Sequence, residues 1–148
     1  MKKIPALSLL LISAGAFAAS APRSLGAYLS HATFNIPGNS PYLEPYLEII
    51  GNTIVYKQNA GGKFQGSVQV TMIIRQDSVI KDYRKYELLS PELDDTTAIA
   101  LNFIDQQRFM LENGSYELDL SIADLNVGQK PVVITYPVDR TRLDVFTT

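Results

Sequence analysis

Glu92, Asp94 and Asp95 crowd the run Glu92-Leu93-Asp94-Asp95-Thr96-Thr97, and Asp105 follows a little further on. Two carboxylates serve glycoside hydrolysis when ~5 to 9 Å separates them across a cleft. A string of oxygens serves calcium when it alternates along a loop that a glycine bends. This run has the oxygens but no glycine and no repeated ligand spacing. Its structural reading is a solvated loop in which Asp95 or Thr96 caps a turn. A hydrolase of envelope polysaccharide or peptide using Asp94, Asp95 and Asp105 stays as the enzymatic alternative.

Other chemistry is thinner. His31 is the only histidine and there is no cysteine. A triad built on a second histidine and a multi-histidine metal site are therefore out of reach. No glycine-rich phosphate loop, serine elbow or basic-aromatic stripe occurs. We assign no catalytic, cofactor-binding or metal-ligating residue, and no cofactor. The eight tyrosines, Tyr28, Tyr42, Tyr46, Tyr56, Tyr83, Tyr86, Tyr116 and Tyr136, would serve a carbohydrate-binding module if two or three stood exposed in one row. Tyrosine also favours strands, and sheet-building is the expectation for most of them.

The amino terminus carries an address. Met1-Lys2-Lys3 precedes an apolar stretch from Ile4 through Phe17 that closes on Ala16-Phe17-Ala18. A basic start, a short apolar core and a small-x-small site make a secretory signal peptide, too short to anchor in a membrane. Cleavage after Ala18 is expected. Loss of Lys2 and Lys3 from 13 basic residues leaves 11 against 15 acids, a formal charge of −4. That balance favours solubility and argues against a nucleic-acid partner. With no cysteine to cross-link it, the domain must hold by core burial, and no lipid attaches through a thiol. The expected product is exported, periplasmic or extracellular, with no membrane anchor after cleavage.

The remainder is expected to be one domain over 28–148 behind a flexible stretch at 19–27. Most of it alternates with a period of two. Tyr116, Leu118, Leu120 and Ile122 point one way, against Ser115, Glu117, Asp119 and Ser121. Val68, Val70, Met72 and Ile74 repeat the pattern, and Val132, Ile134 and Tyr136 suggest another strand, with Leu143 and Val145 a short last one. Turns punctuate these runs at Asn59-Ala60-Gly61-Gly62, Gln76-Asp77-Ser78 and Glu112-Asn113-Gly114. Asn113-Gly114-Ser115 also matches an N-glycosylation acceptor, but Asn-Gly reads as a hairpin. Tyr42 to Ile50 reads as a strand whose Pro45 fits best at an edge or a bulge. From Asp95 a loop or helical turn to about Ala100 is expected, then a strand with Phe103, Gln107, Phe109 and Leu111 on one face and Asp105 awkwardly among them.

Three stretches together, "GGKFQGSVQVTMII", "YELLSPELDD" and "NFIDQQRFMLENGSYELDLSIAD", resemble the amino-terminal region of exported GWxTD domain-containing proteins of Bacteroidetes-type bacteria. The resemblance covers about Tyr28 to Tyr136. It implies an antiparallel immunoglobulin-like β-sandwich of about 7–8 strands and brings no catalytic residues with it. The chain has no tryptophan, so the Gly-Trp-x-Thr-Asp signature is not within it. As in immunoglobulin-like domains, Tyr116 would anchor the corner after Gly114 by bonding nearby backbone. Pro91 would set the bend of an inter-sheet crossing anchored by Leu88, Leu89 and Leu93. Arg108 would pair with Glu92, Asp94 or Asp95. Asp77-Ser78-Val79 and Asp95-Thr96-Thr97 resemble O-glycosylation acceptors of the same bacterial group, making Ser78 and Thr96 candidates.

These readings converge on an exported, non-catalytic β-sandwich that binds a protein partner or supports assembly at the cell envelope. A carbohydrate-binding module is the nearer alternative. The segment from Ala27 to Phe34 is an edge that could pair with another chain.

Overall fold

The structure, a computed structural model, describes residues 24–35, 38, 40–95, 97 and 101–140. The expected signal peptide, the short last strand at Leu143 and Val145, and Thr96 lie outside the described residues. The chain is all-β, with two antiparallel sheets facing each other as a sandwich and no α-helix among the described residues.

The first sheet holds β1 (Ala27–Phe34), β2 (Tyr42–Ile49), β6 (Phe103–Gln106) and β7 (Phe109–Met110), with β2 in the centre. The second holds β3 (Tyr56–Gln58), β4 (Phe64–Gln76), β5 (Val79–Leu89), β8 (Ser115–Asp124) and β9 (Val132–Asp139), in which β4 lies between β5 and β8 and β9 pairs with β8. These nine strands exceed the expected seven or eight because the 103–111 segment breaks in two and β3 is a separate short piece.

Alternation does the folding. Val68, Val70, Met72 and Ile74 of β4, with Leu118, Leu120 and Ile122 of β8, turn inward against Leu43, Leu47 and Ile49 of β2 and against Phe103 and Phe109. A one-residue slip in β4 would carry its four apolar side chains to the wet face. Leu25 joins this core and Gly26 donates to Thr53 Oγ1 at 2.9 Å. Packed structure therefore begins before residue 28, inside the stretch expected to be flexible.

The turns follow their chemistry. Asp77 and Ser78 both hold positive φ, 48° and 71°, between β4 and β5. That pair of dihedral signs matches the type I′ loops that suit the strand twist. Asn59 Oδ1 accepts from the amides of Gly61 and Lys63, and Gly62 supplies a φ of 80°. Gly66 answers to packing instead. A Cβ there would stand 2.3 Å from Ile54 Cδ1, so a side chain fits only if Ile54 shifts from where it closes the end of the core.

Pro45 lies on the central strand, not at an edge. It sits opposite the break between β6 and β7, where its carbonyl accepts from Gln107 N at 3.2 Å. Its missing amide hydrogen falls where the partner strand is interrupted, so no donor of a continuous ladder is lost.

Candidate functional site

The acidic run of 92–95 follows the end of β5 and leads to β6 in the other sheet, as an inter-sheet crossing does. Ser90 is buried, and its Oγ accepts from Gly66 N at 2.9 Å. Leu93 bridges to Phe64 by two backbone bonds. Pro91 stands exposed at the bend between these two fixed points. Leu88 packs against the core, but Leu89 turns outward and anchors nothing.

The crossing keeps its acids in water. Glu92 accepts from Asn59 Nδ2 at 2.6 Å, Asp94 pairs with Lys63, and Asp95 accepts from the amide of Thr97 at 2.8 Å. The Asp94 contact holds the Lys63 ammonium above its usual range. Asp95 is thus the turn cap expected of it.

Arg108 does not join this group. Its guanidinium lies 3.5 Å from Glu44 and 4.2 Å over the ring of Tyr42, on the outward face of the first sheet. Glu44 is almost fully buried there and also accepts from Gln106. Phe34 stacks on Tyr42, with centroids 4.9 Å apart. The Tyr46 phenol is pushed up by lost solvation and then by the neighbouring Glu44 carboxylate. Arg108 is directed here because β6 and β7 lie beside β2, far from the 92–95 crossing in the ladder.

Asp105 serves another end. Tyr86 of β5 donates to it across the seam between the sheets, and Gln107 Nε2 lies 3.1 and 3.2 Å from its two oxygens. The Tyr86 phenol is raised far above its ordinary value by burial and by the Asp105 carboxylate. The acid that looked awkward on an apolar face is therefore solvated by its neighbours. Asp94 and Asp105 are engaged with different partners on different elements, Lys63 for the one and Tyr86 and Gln107 for the other.

Tyr116 bonds the backbone four residues before it. Its hydroxyl donates to Glu112 O at 3.0 Å, and the ring is buried beside Gly114. Ser78 is exposed at the tip of the β4–β5 hairpin. His31 lies exposed on β1. Only Tyr28 and Tyr83 among the described tyrosines are more than half exposed, at 66% and 62%, and they stand on β1 and β5 in different sheets. They do not form a row.

What local reading missed lies on the flank between β1 and β9. Along the inward row of β9, Val138 is 1% exposed, but Ile134 is 43% and Val132 37%. Nothing from the first sheet covers the start of this row. A cleft of about 180 Å³ opens there, lined by Leu25, Ala27 and Leu29 on one wall and by Val132, Ile134 and Tyr136 on the other, over Leu120 and Ile122.

The four sheet edges are guarded unequally. β5 carries Lys81, Asp82, Arg84, Lys85 and Glu87, while β6 and β7 are short and β6 is joined to β5 by the Tyr86–Asp105 bond. Charges and short strands of this kind discourage pairing with other chains. β1, read as Ala-Tyr-Leu-Ser-His-Ala-Thr-Phe, has neither acid, lysine, arginine nor proline in eight residues. β9 has a single proline, Pro137, and a single acid, Asp139, at its end.

Comparison with known proteins adds no relative: no family model, no curated protein and no solved structure matches the chain.

Proposed function

We propose that this chain is an exported, non-enzymatic binding module of the bacterial cell envelope, built as an immunoglobulin-like sandwich and directed at a protein partner. The observation that carries the reading is the asymmetry of the edges. One flank is charged and tied shut. The other leaves two long, nearly uncharged strands beside an apolar cleft that no described residue covers, the arrangement that strand-adding recognition uses. The leader at Met1 to Ala18 supports export, and the resemblance to the amino-terminal region of GWxTD domain-containing proteins supports an envelope setting.

The scattered exposure of Tyr28 and Tyr83 gives the carbohydrate reading less support than the protein reading. The separate partners of Asp94 and Asp105 do the same for a hydrolase. Affinity capture with the mature chain from envelope extract, read by mass spectrometry beside a polysaccharide panel, tests the proposal. A single enriched envelope protein is expected. Retention of glycan alone would overturn the reading.

A further inference from the structure

We infer that the open flank takes an extended segment of a partner protein as an added strand on β1. Its alternate apolar side chains would lie over Val132 and Ile134, and a carboxylate would stand at the Arg140 end. The inference rests on the binding-module reading and specifies what is bound.

Backbone alternation selects β1. Gly26 O accepts from Ile50 N at 3.0 Å, one step before the Ala27–Ile49 pair. In an antiparallel ladder the next residues therefore turn away by turns, so Ala27, Leu29, His31 and Thr33 present their amides and carbonyls to the free edge. Pro45, opposite His31, agrees: its carbonyl faces Gln107 and not β1. On β9, Arg140 N donates to Gly114 O at 2.9 Å, which turns Val133, Thr135 and Pro137 outward. Proline interrupts that row of donors. β1 is the unbroken template.

The side chains select the sequence pattern. A strand laid beside β1 extends the first sheet over the uncovered start of β9. Residues two apart, ~6.6 Å along a strand, would then fill the cleft from above. None of the cleft-lining residues is charged. The far end of the same flank is different. Arg140 continues the inward row past Val138 and reaches β1, its Nη2 2.9 Å from Asn35 Oδ1. It is 5% exposed, and its Nε and Nη1 have no hydrogen-bond partner among the described residues. A buried guanidinium is costly without a counter-charge. The fitting strand is apolar at one end and acidic at the other. A second copy's β1 lacks any carboxylate, so a heterologous partner fits better than self-pairing.

β1 runs from the cleft toward Asn35, so an antiparallel partner begins at Arg140. The probe is an acetylated, dye-labelled heptapeptide that starts with aspartate and then alternates threonine with valine, titrated into the full mature protein by fluorescence anisotropy. Saturable binding is expected. It should weaken tenfold or more when lysine replaces the aspartate, when the valines are moved into one block, or in Ile134→Lys, whose site is already exposed. His31→Pro, which removes one outward amide, should weaken it similarly with little change in melting temperature. Arg140→Gln should abolish the preference for aspartate over lysine.

No saturable binding up to about 1 mM, the weak end of specific affinities, would overturn the inference. Equal binding by the blocked peptide or by Ile134→Lys would do the same. A dimer in light scattering that Ile134→Lys dissolves would assign the cleft to a second copy and also overturn it. Peptide binding without any captured envelope protein would sink the functional reading alone. A captured protein retained equally by wild type and Ile134→Lys would sink the cleft assignment alone.

Discussion

The Tyr86 hydroxyl donates to Asp105 across the seam between β5 and β6, joining the edge of one sheet to the edge of the other. A hydrogen bond to a charged acceptor is worth about 1.5–3 kcal/mol, toward the lower figure where the seam is partly wet. Tyr86→Phe should therefore lower the melting temperature measurably at neutral pH. The alkaline limb tests the cause. The unfolded phenol loses its proton near pH ~10, while the folded one, pushed up by burial and by Asp105, keeps it. The folded state then binds more protons than the unfolded, so stability falls as pH rises above that value. Thermal melts from pH 8 to 11 should show a smaller alkaline loss for Tyr86→Phe than for wild type.

Tyr116 holds the loop before β8 through Glu112 O. Tyr116→Phe keeps the buried ring and removes only that bond. A loss of about 1 kcal/mol is expected, read as a fall of about 4 °C for a domain of this size in calorimetry, with secondary structure intact.

Gly66→Ala forces a methyl against Ile54. Overpacking of this kind costs about 1–3 kcal/mol. Ile54→Val removes the Cδ1 that a Cβ at 66 would meet first, so the double variant should be more stable than the sum of the single losses. Urea unfolding of the four proteins in the cycle measures this coupling.

Arg108→Ala should destabilise the domain, because it withdraws a cation from Glu44 and uncovers Tyr42. Asp94→Asn, on the exposed crossing, should leave the melting temperature unchanged. The reverse ranking in thermal melts would restore the expectation that Arg108 pairs with the 92–95 acids.

The sequence and the structure part company where neighbours are distant in the chain. Period-two alternation is enough for β4 and β8, because each buried face is a property of its own strand. It also placed Phe103, Gln107, Phe109 and Leu111 on one face. Asp105 looked wrong there because its partner Tyr86 belongs to the other sheet. Sequence proximity points Arg108 at the 92–95 acids, while Glu44, its actual neighbour, is brought to it only by the β2–β7 ladder. Asp124 was not singled out at all. It is buried and accepts from Val55 N at 2.7 Å, while Asn126 donates to Val55 O at 2.8 Å, so the pair ties the approach to β3 onto the end of β8. An Asp-x-Asn at a strand end was the local hint. The cleft was invisible for a related reason: Val132 and Ile134 read as an ordinary inward row, and only the position of β1 shows that half of it is uncovered.

Site-specific photo-crosslinking in intact cells tests the central claim most directly, with the reactive group placed in turn at His31, Ile134 and Tyr83. The first two positions border the open flank, and the third, at 62% more exposed than Ile134 at 43%, stands on the charged β5 edge. The account predicts a discrete crosslinked envelope protein from His31 and Ile134 and none from Tyr83. Crosslinks of equal yield from all three, or a specific product from Tyr83 alone, would contradict it.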